Sequence, residues 1–138
     1  MAVNTRTEYA LRALIEMAES QDQPISAHRI CERQNLPIKY IERLLALLKN
    51  AGLVHSMAGS QGGYTLARAA SEICFLDILK AVEDGSFSTS CTSPNPKHCL
   101  GHSCALMPFF NDLDSQLSEI FASYSLEQIF QTWKRNLS

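Results

Sequence analysis

The chain has 138 residues, of which 46% are hydrophobic, and a formal net charge of −2 from 12 Lys/Arg against 14 Asp/Glu. That length predicts one domain of ordinary globular composition. No apolar run reaches the roughly 20 residues of a membrane span, and Met1–Arg6 lacks the basic-then-apolar pattern of a secretory signal. The expected location is therefore the cytoplasm, where clustered cysteines serve metal or redox chemistry more often than structural disulfides.

The net charge conceals a local excess of the opposite sign. Between residues 26 and 68, Arg29, Arg33, Lys39, Arg43, Lys49 and Arg68 face only Glu32 and Glu42. A basic segment within an acidic chain is what a small nucleic-acid-reading surface produces, although a solvated helix face produces it too.

Residues 5–19 read as a helix, with Ala10, Ala13, Leu14, Met17 and Ala18 forming one apolar stripe. Glu8 and Arg12 lie off that stripe. Ser26 is a good N-cap for a short helix over 27–34, and Ile25 and Ile30 are placed as a hydrophobic staple around it. Cys31, beside Ile30, is expected to act as a small hydrophobe. After a turn at Asn35-Leu36, Pro37 opens a third helix that runs to about Asn50. Ile41, Leu44, Leu45 and Leu48 should face inward, and Lys39, Tyr40, Glu42 and Arg43 outward. Gly52 terminates it. Two helices joined by so short a turn match a helix-turn-helix, whose second helix enters the major groove.

Leu53–Ser56, the stretch Gly59-Ser60-Gln61-Gly62-Gly63 and Tyr64–Leu66 read as strand, glycine-rich turn and strand. A hairpin directly after a helix-turn-helix is a wing. A helix over 75–83 follows, with Cys74 at its N-cap, Asp77 three residues later and Gly85 as its stop. A longer helix spans about Ala105 to Tyr124. Its Leu106, Phe109, Phe110, Leu113, Leu117, Ile120, Phe121 and Tyr124 make an apolar face wider than one small winged helix needs. The simplest occupant of that face is a second copy of the same helix, which predicts a homodimer. Ser125 caps a short return helix with Leu126, Ile129, Phe130 and Trp133 inward and Lys134 and Arg135 in its last turn. The expected fold is thus mainly α. A winged helix-turn-helix domain occupies 1–85, a cysteine-rich loop 86–104, and a dimerisation helix with its return helix 105–138.

That loop holds Cys91, Cys99 and Cys104 in the spacing C-x7-C-x4-C, with His98 and His102 among them. Its Ser, Thr, Pro, Asn and Gly residues bury too little apolar area to order themselves. A metal centre would order them and report a chemical signal to the rest of the molecule. A cysteine triad plus histidine also suits tetrahedral zinc, and two of the thiols could instead form a reversible disulfide. No phosphate-cradling glycine loop, G-x-S-x-G elbow or C-x-x-C pair points to an enzyme.

Several stretches together resemble the IscR/NsrR/RirA group of winged-helix transcription regulators, the Rrf-type-two family. They are Thr7–Leu14, Ile41–Leu45, Lys49–Val54, Gly62–Arg68, Ile73–Glu83 and the three-cysteine loop that follows, and they span essentially the whole chain. The resemblance implies a homodimeric regulator that binds a double-stranded DNA operator. It also implies an iron–sulfur cluster, held by thiolates and sensing iron supply, redox state or nitric oxide. Three cysteines leave one position open. Some members fill it with a histidine three residues after the third cysteine, but here Met107 stands there. Others use a carboxylate from the partner subunit at the position of Glu8, which is present. The ligand set implied is Cys91, Cys99, Cys104 and Glu8, with His98 and His102 as alternatives. The spacing suits either 2Fe–2S or 4Fe–4S, and 2Fe–2S is the reading adopted.

For DNA reading, Lys39 and Arg43 can bond guanine or phosphate and Glu42 can accept from cytosine, while Tyr40 can pack on a sugar or thymine methyl. Pro37 and Ile38 lie at the helix start. Similar proteins often carry an arginine before the wing glycines. Here that segment is Ser56-Met57-Ala58-Gly59, so Ser60, Gln61 and Gly62 are expected to approach phosphate instead.

Overall fold

The computed structural model describes residues 4–83 and 105–137. Helix α1 (Thr5–Glu19) begins where the Asn4 side chain accepts a hydrogen bond from the Arg6 amide, and it ends at Ser20. Helix α2 (Ala27–Gln34) is capped by Ser26, whose hydroxyl oxygen accepts from the Arg29 amide at 3.1 Å. Ile25 and Ile30 are both buried, as the staple requires. Asn35 then adopts a left-handed conformation (φ 54°), which ends α2 and allows the chain to turn within three residues into α3 (Ile38–Asn50). Pro37 is the N-cap of α3 rather than its first helical residue. Gly52, at φ 77°, closes α3. Its amide donates to the Lys49 carbonyl, and the Leu53 amide donates to that of Leu48. These are the two bonds of a Schellman motif.

Strands β1 (Val54–Met57) and β2 (Gly63–Leu66) pair antiparallel, with Val54 opposite Leu66 and Met57 opposite Gly63. A 3-10 turn at Ala70–Glu72 leads into α4 (Phe75–Val82), where the Asp77 carboxylate accepts from the Cys74 amide at 3.2 Å. Helix α5 runs from Met107 to Ala122, two residues short of the expected Tyr124. Helix α6 (Leu126–Arg135) starts with a full capping box between Ser125 and Gln128. Among the described residues these make six α-helices and one hairpin, and no helix is long and apolar enough to cross a membrane.

The core lies between α1, α2, α3 and α4 and is closed by Leu126 of α6. Leu14, Ile30, Ile41, Leu45, Leu48, Ile73, Ile78 and Leu126 are all fully buried. Helix α1 packs against α2, α3, α4 and α6. Two short bridges tie distant segments together. The Ile25 amide donates to the Tyr64 carbonyl at 3.1 Å and the Tyr64 amide returns to the Ile25 carbonyl at 2.8 Å, joining the wing to the approach of α2. The Phe75 amide donates to the Tyr124 carbonyl at 2.8 Å and the Leu126 amide to the Ile73 carbonyl at 2.7 Å, joining the starts of α4 and α6.

Helix α5 contributes little to this core. Phe121 alone among its residues is buried, edge-on to Phe75 at 5.5 Å between ring centres. On the same helix Phe109 is 59% and Ile120 54% exposed, and Leu113 and the preceding Leu106 are also open to solvent.

Candidate nucleic-acid interface and sensor site

The outward face of α3 presents Lys39, Glu42 and Arg43, all exposed, because Ile41, Leu44, Leu45 and Leu48 turn the opposite face into the core. Pro37 is exposed and Ile38 half-buried at the start of this face. Tyr40 differs from the outward expectation. It is half-buried and meets Tyr9 of α1 edge-on, 5.5 Å between ring centres, so its ring is shared between the two helices. The one-residue step from Lys39 to Tyr40 rotates the side chain by about 100°, enough to carry it from solvent to the α1–α3 seam.

At the wing, Ser60 and Gln61 are exposed and Gly62 is half-buried. The Gly62 amide donates to the Gly59 carbonyl at 3.1 Å and closes the tip. A β-carbon on Gly62 would lie 2.1 Å from the Met57 carbonyl oxygen, so only glycine permits this turn.

Glu8 stands on the solvent side of α1 with its side chain 60% exposed, and its carboxylate is 3.9 Å from Arg12 one turn later. A pair so open and so long contributes little to stability, which leaves the carboxylate free to take another partner. Arg12 is more firmly held. Its Nε donates to the Gln34 side-chain oxygen at 3.1 Å, its Nη2 donates to the Gln34 carbonyl, and its guanidinium lies 5.8 Å from the centre of the Tyr9 ring. The Gln34 amide group in turn donates to Glu16 at 2.6 Å, and Arg33 donates to the other Glu16 oxygen at 3.2 Å. Gln34 and Glu16 are both buried, so their mutual bonding offsets the desolvation of each. The last residues of α2, immediately before the turn into α3, are thereby fastened to α1. The amphipathic pattern did not single out this set. A glutamate directly beside an apolar stripe is, in retrospect, the signal that a polar partner lies opposite.

Cys31 and Cys74 are free and partly buried. Burial pushes the Cys31 thiol above its ordinary range and the nearby Glu42 charge adds to the shift, so this thiol stays protonated near neutrality and serves packing. Cys91, Cys99, Cys104, His98, His102 and Gly85 lie outside the described residues. Among the described residues no group of three or more His, Cys, Asp or Glu is disposed to hold a metal. Of the expected ligand set only Glu8 lies among the described residues, exposed and with its carboxylate 3.9 Å from Arg12.

A model of the Rrf2 family, described as an iron-dependent transcriptional regulator, matches residues 3–132. The chain belongs to the Rrf2 family. It is accordingly a DNA-binding transcription regulator with the winged-helix fold, and its relatives are regulators rather than enzymes. The HTH-type transcriptional regulator IscR of Photorhabdus laumondii is 32% identical over 131 residues, covering 94% of this chain and 79% of that protein. The solved structure of IscR from T. potens aligns with a TM-score of 0.76 at 26% identity, covering 100% of this chain and 93% of that one. CymR, the global cysteine regulator of B. subtilis, aligns with a TM-score of 0.74 at 28% identity, covering 96% and 98%.

For this Rrf2-family regulator the buried polar link has a measurable consequence. Gln34→Ala strips a partner from Glu16 and from the Arg12 Nε at once, and it should lower unfolding free energy by about 1–3 kcal/mol in urea denaturation. A loss below about 0.5 kcal/mol would show that solvent replaces the amide without penalty.

Proposed function

We propose that this regulator is a homodimer in which Cys91, Cys99 and Cys104 of one subunit and Glu8 of the other hold an iron–sulfur cluster, and that the state of this site alters DNA binding. The observation that carries the reading is Glu8 itself, an open carboxylate one turn before the arginine that fastens the end of α2. Three thiolates and one carboxylate complete a four-ligand set. The carboxylate, a harder and more exchangeable donor than thiolate, suits a site that must respond. When bound, such a cluster supplies sensitivity to iron supply, oxidants or nitric oxide. The chain's own contribution is positional. Glu8 and Arg12 share one face of α1, so whatever holds the Glu8 carboxylate acts one turn from the guanidinium that grips the Gln34 carbonyl at the entrance to the recognition helix.

Anaerobically purified protein should show visible charge-transfer absorption with matching iron and sulfide, and Glu8→Ala should bleach or destabilise it. A colourless protein with stoichiometric zinc, unable to take up iron and sulfide on reconstitution, would remove the cluster from this account. The likeness to CymR, whose S. aureus counterpart is also solved in an oxidized form, supports a second reading in which the same cysteines form a thiol–disulfide switch.

The dimer rests on α5. Leu106, Phe109, Leu113 and Ile120 form an exposed apolar face on a helix that buries little of itself in its own subunit, and isolated soluble chains rarely leave such faces open. Leu113→Glu should convert a dimer to a monomer in sedimentation equilibrium. An unchanged mass would place the dimer elsewhere or abolish it.

In the DNA complex, Lys39, Glu42 and Arg43 are the base-edge candidates. Pro37 and Ile38 pack at the groove, with Tyr40 behind them in the α1–α3 seam, and Ser60, Gln61 and Gly62 approach phosphate. Arg43→Ala should weaken operator binding by about 1–3 kcal/mol and relax specificity at one base pair. An equal loss on scrambled duplex would assign Arg43 to phosphate.

A further inference from the structure

A groove of about 440 Å³ separates the first turn of α2 from the wing, and its lining includes Gln23, Ser26, Arg29, Arg33, Ser60 and Gln61. No aspartate or glutamate lines it. The larger hollow between α1, α2 and α6 is different in kind, because Glu16 and Glu19 there offset Arg12, Arg33 and Lys134. Arg33 is engaged with Glu16 at 3.2 Å, so the net positive field in the smaller groove comes from Arg29, which is exposed. The Ser26 oxygen already accepts the Arg29 amide, which leaves its O–H hydrogen to donate outward. The groove is thus rich in donors and carries positive charge, which selects an anion.

Its two walls are mechanically one unit. The reciprocal bonds between Ile25 and Tyr64 fix the wing to the residue before the α2 cap. Gly63, at φ 148°, makes that approach possible, since a β-carbon there would lie 2.6 Å from the Ile25 carbonyl carbon and oxygen. The bridge brings Ser60 and Gln61 onto the same groove as Arg29.

We infer that this groove seats a phosphodiester of the DNA backbone beside the major groove entered by α3, with Arg29 as the charged contact and Ser26, Ser60 and Gln61 as neutral donors. The inference rests on the DNA-binding reading of α3 and the wing. It extends that reading to α2, in keeping with the way the first helix of a helix-turn-helix crosses the backbone. A phosphate contact fixes register without reading sequence, so Arg29 is a positioning residue.

The test uses the full chain with two probes, a mixed-sequence duplex long enough for two half-sites (about 25 base pairs) and an operator selected from a randomised pool, each titrated over a salt series. Arg29→Gln should weaken both by the same factor. It should also make the slope of log K against log salt shallower by about 0.9 per bound protomer, with thermal unfolding unchanged. Arg29→Lys, which keeps the charge, should retain the slope. Unchanged affinities and slope in Arg29→Gln would overturn the inference, and so would a loss confined to the selected operator. If Arg43→Ala weakens operator binding while Arg29→Gln is silent, only the inference fails. If the wild-type chain binds neither duplex, the underlying reading fails with it.

Discussion

Ala10 and Ala13 end at the β-carbon and are fully buried, so the backbone of α1 can lie close to its neighbours on more than one side. That close approach is the constraint on which the other elements depend. Helix α1 touches α2, α3, α4 and α6, and the large side chains Leu14, Ile41, Leu45 and Ile78 fill the spaces its small residues leave. A larger side chain at either alanine would push helices apart rather than merely fill a void. With α1 fixed in rotation by this packing, the remaining faces of the helix are also fixed. Glu8 points to solvent, Arg12 and Glu16 reach the end of α2, and Tyr9 meets Tyr40 of α3.

That arrangement joins the exposed Glu8 carboxylate to the start of α3 by a short physical route. The route consists of one helical turn, two arginine–glutamine hydrogen bonds and the left-handed Asn35 turn. Buried, mutually satisfied polar groups are less tolerant of small displacements than apolar contacts, because losing one partner leaves another without water to replace it. Arg12, one turn from Glu8, therefore belongs to a set of groups whose geometry is tightly specified. The wing is held in a comparable way by its backbone bridge to Ile25, so the reading helix and the wing are both anchored at the ends of α2.

Helix α5 follows the opposite logic. It has only a single well-buried side chain in its own subunit and an apolar face larger than that contact requires. Its stability in isolation is limited by length and by solvent on every side. The exposed side chains are the apolar area that the proposed second helix covers.

Much of this was legible from local pattern alone. The apolar stripes placed five of the six helices within a residue or two and the sixth, α5, to within two residues at each end. Ser26, Ser125 and Gly52 marked termini because caps and left-handed stops act within a single turn. The order helix-turn-helix, hairpin, helix identified the wing, while the three cysteines from which a cluster site is expected lie outside the described residues. What only the tertiary structure decided involves partners far apart in the chain. The bridges Ile25–Tyr64 and Cys74–Ser125, the Glu16–Gln34–Arg12 network and the turn of Tyr40 onto Tyr9 belong to this class. Periodicity reports which face of an element is apolar. It carries no information about which distant residue will satisfy a polar group on that face, because that choice is made by the packing of whole helices against α1.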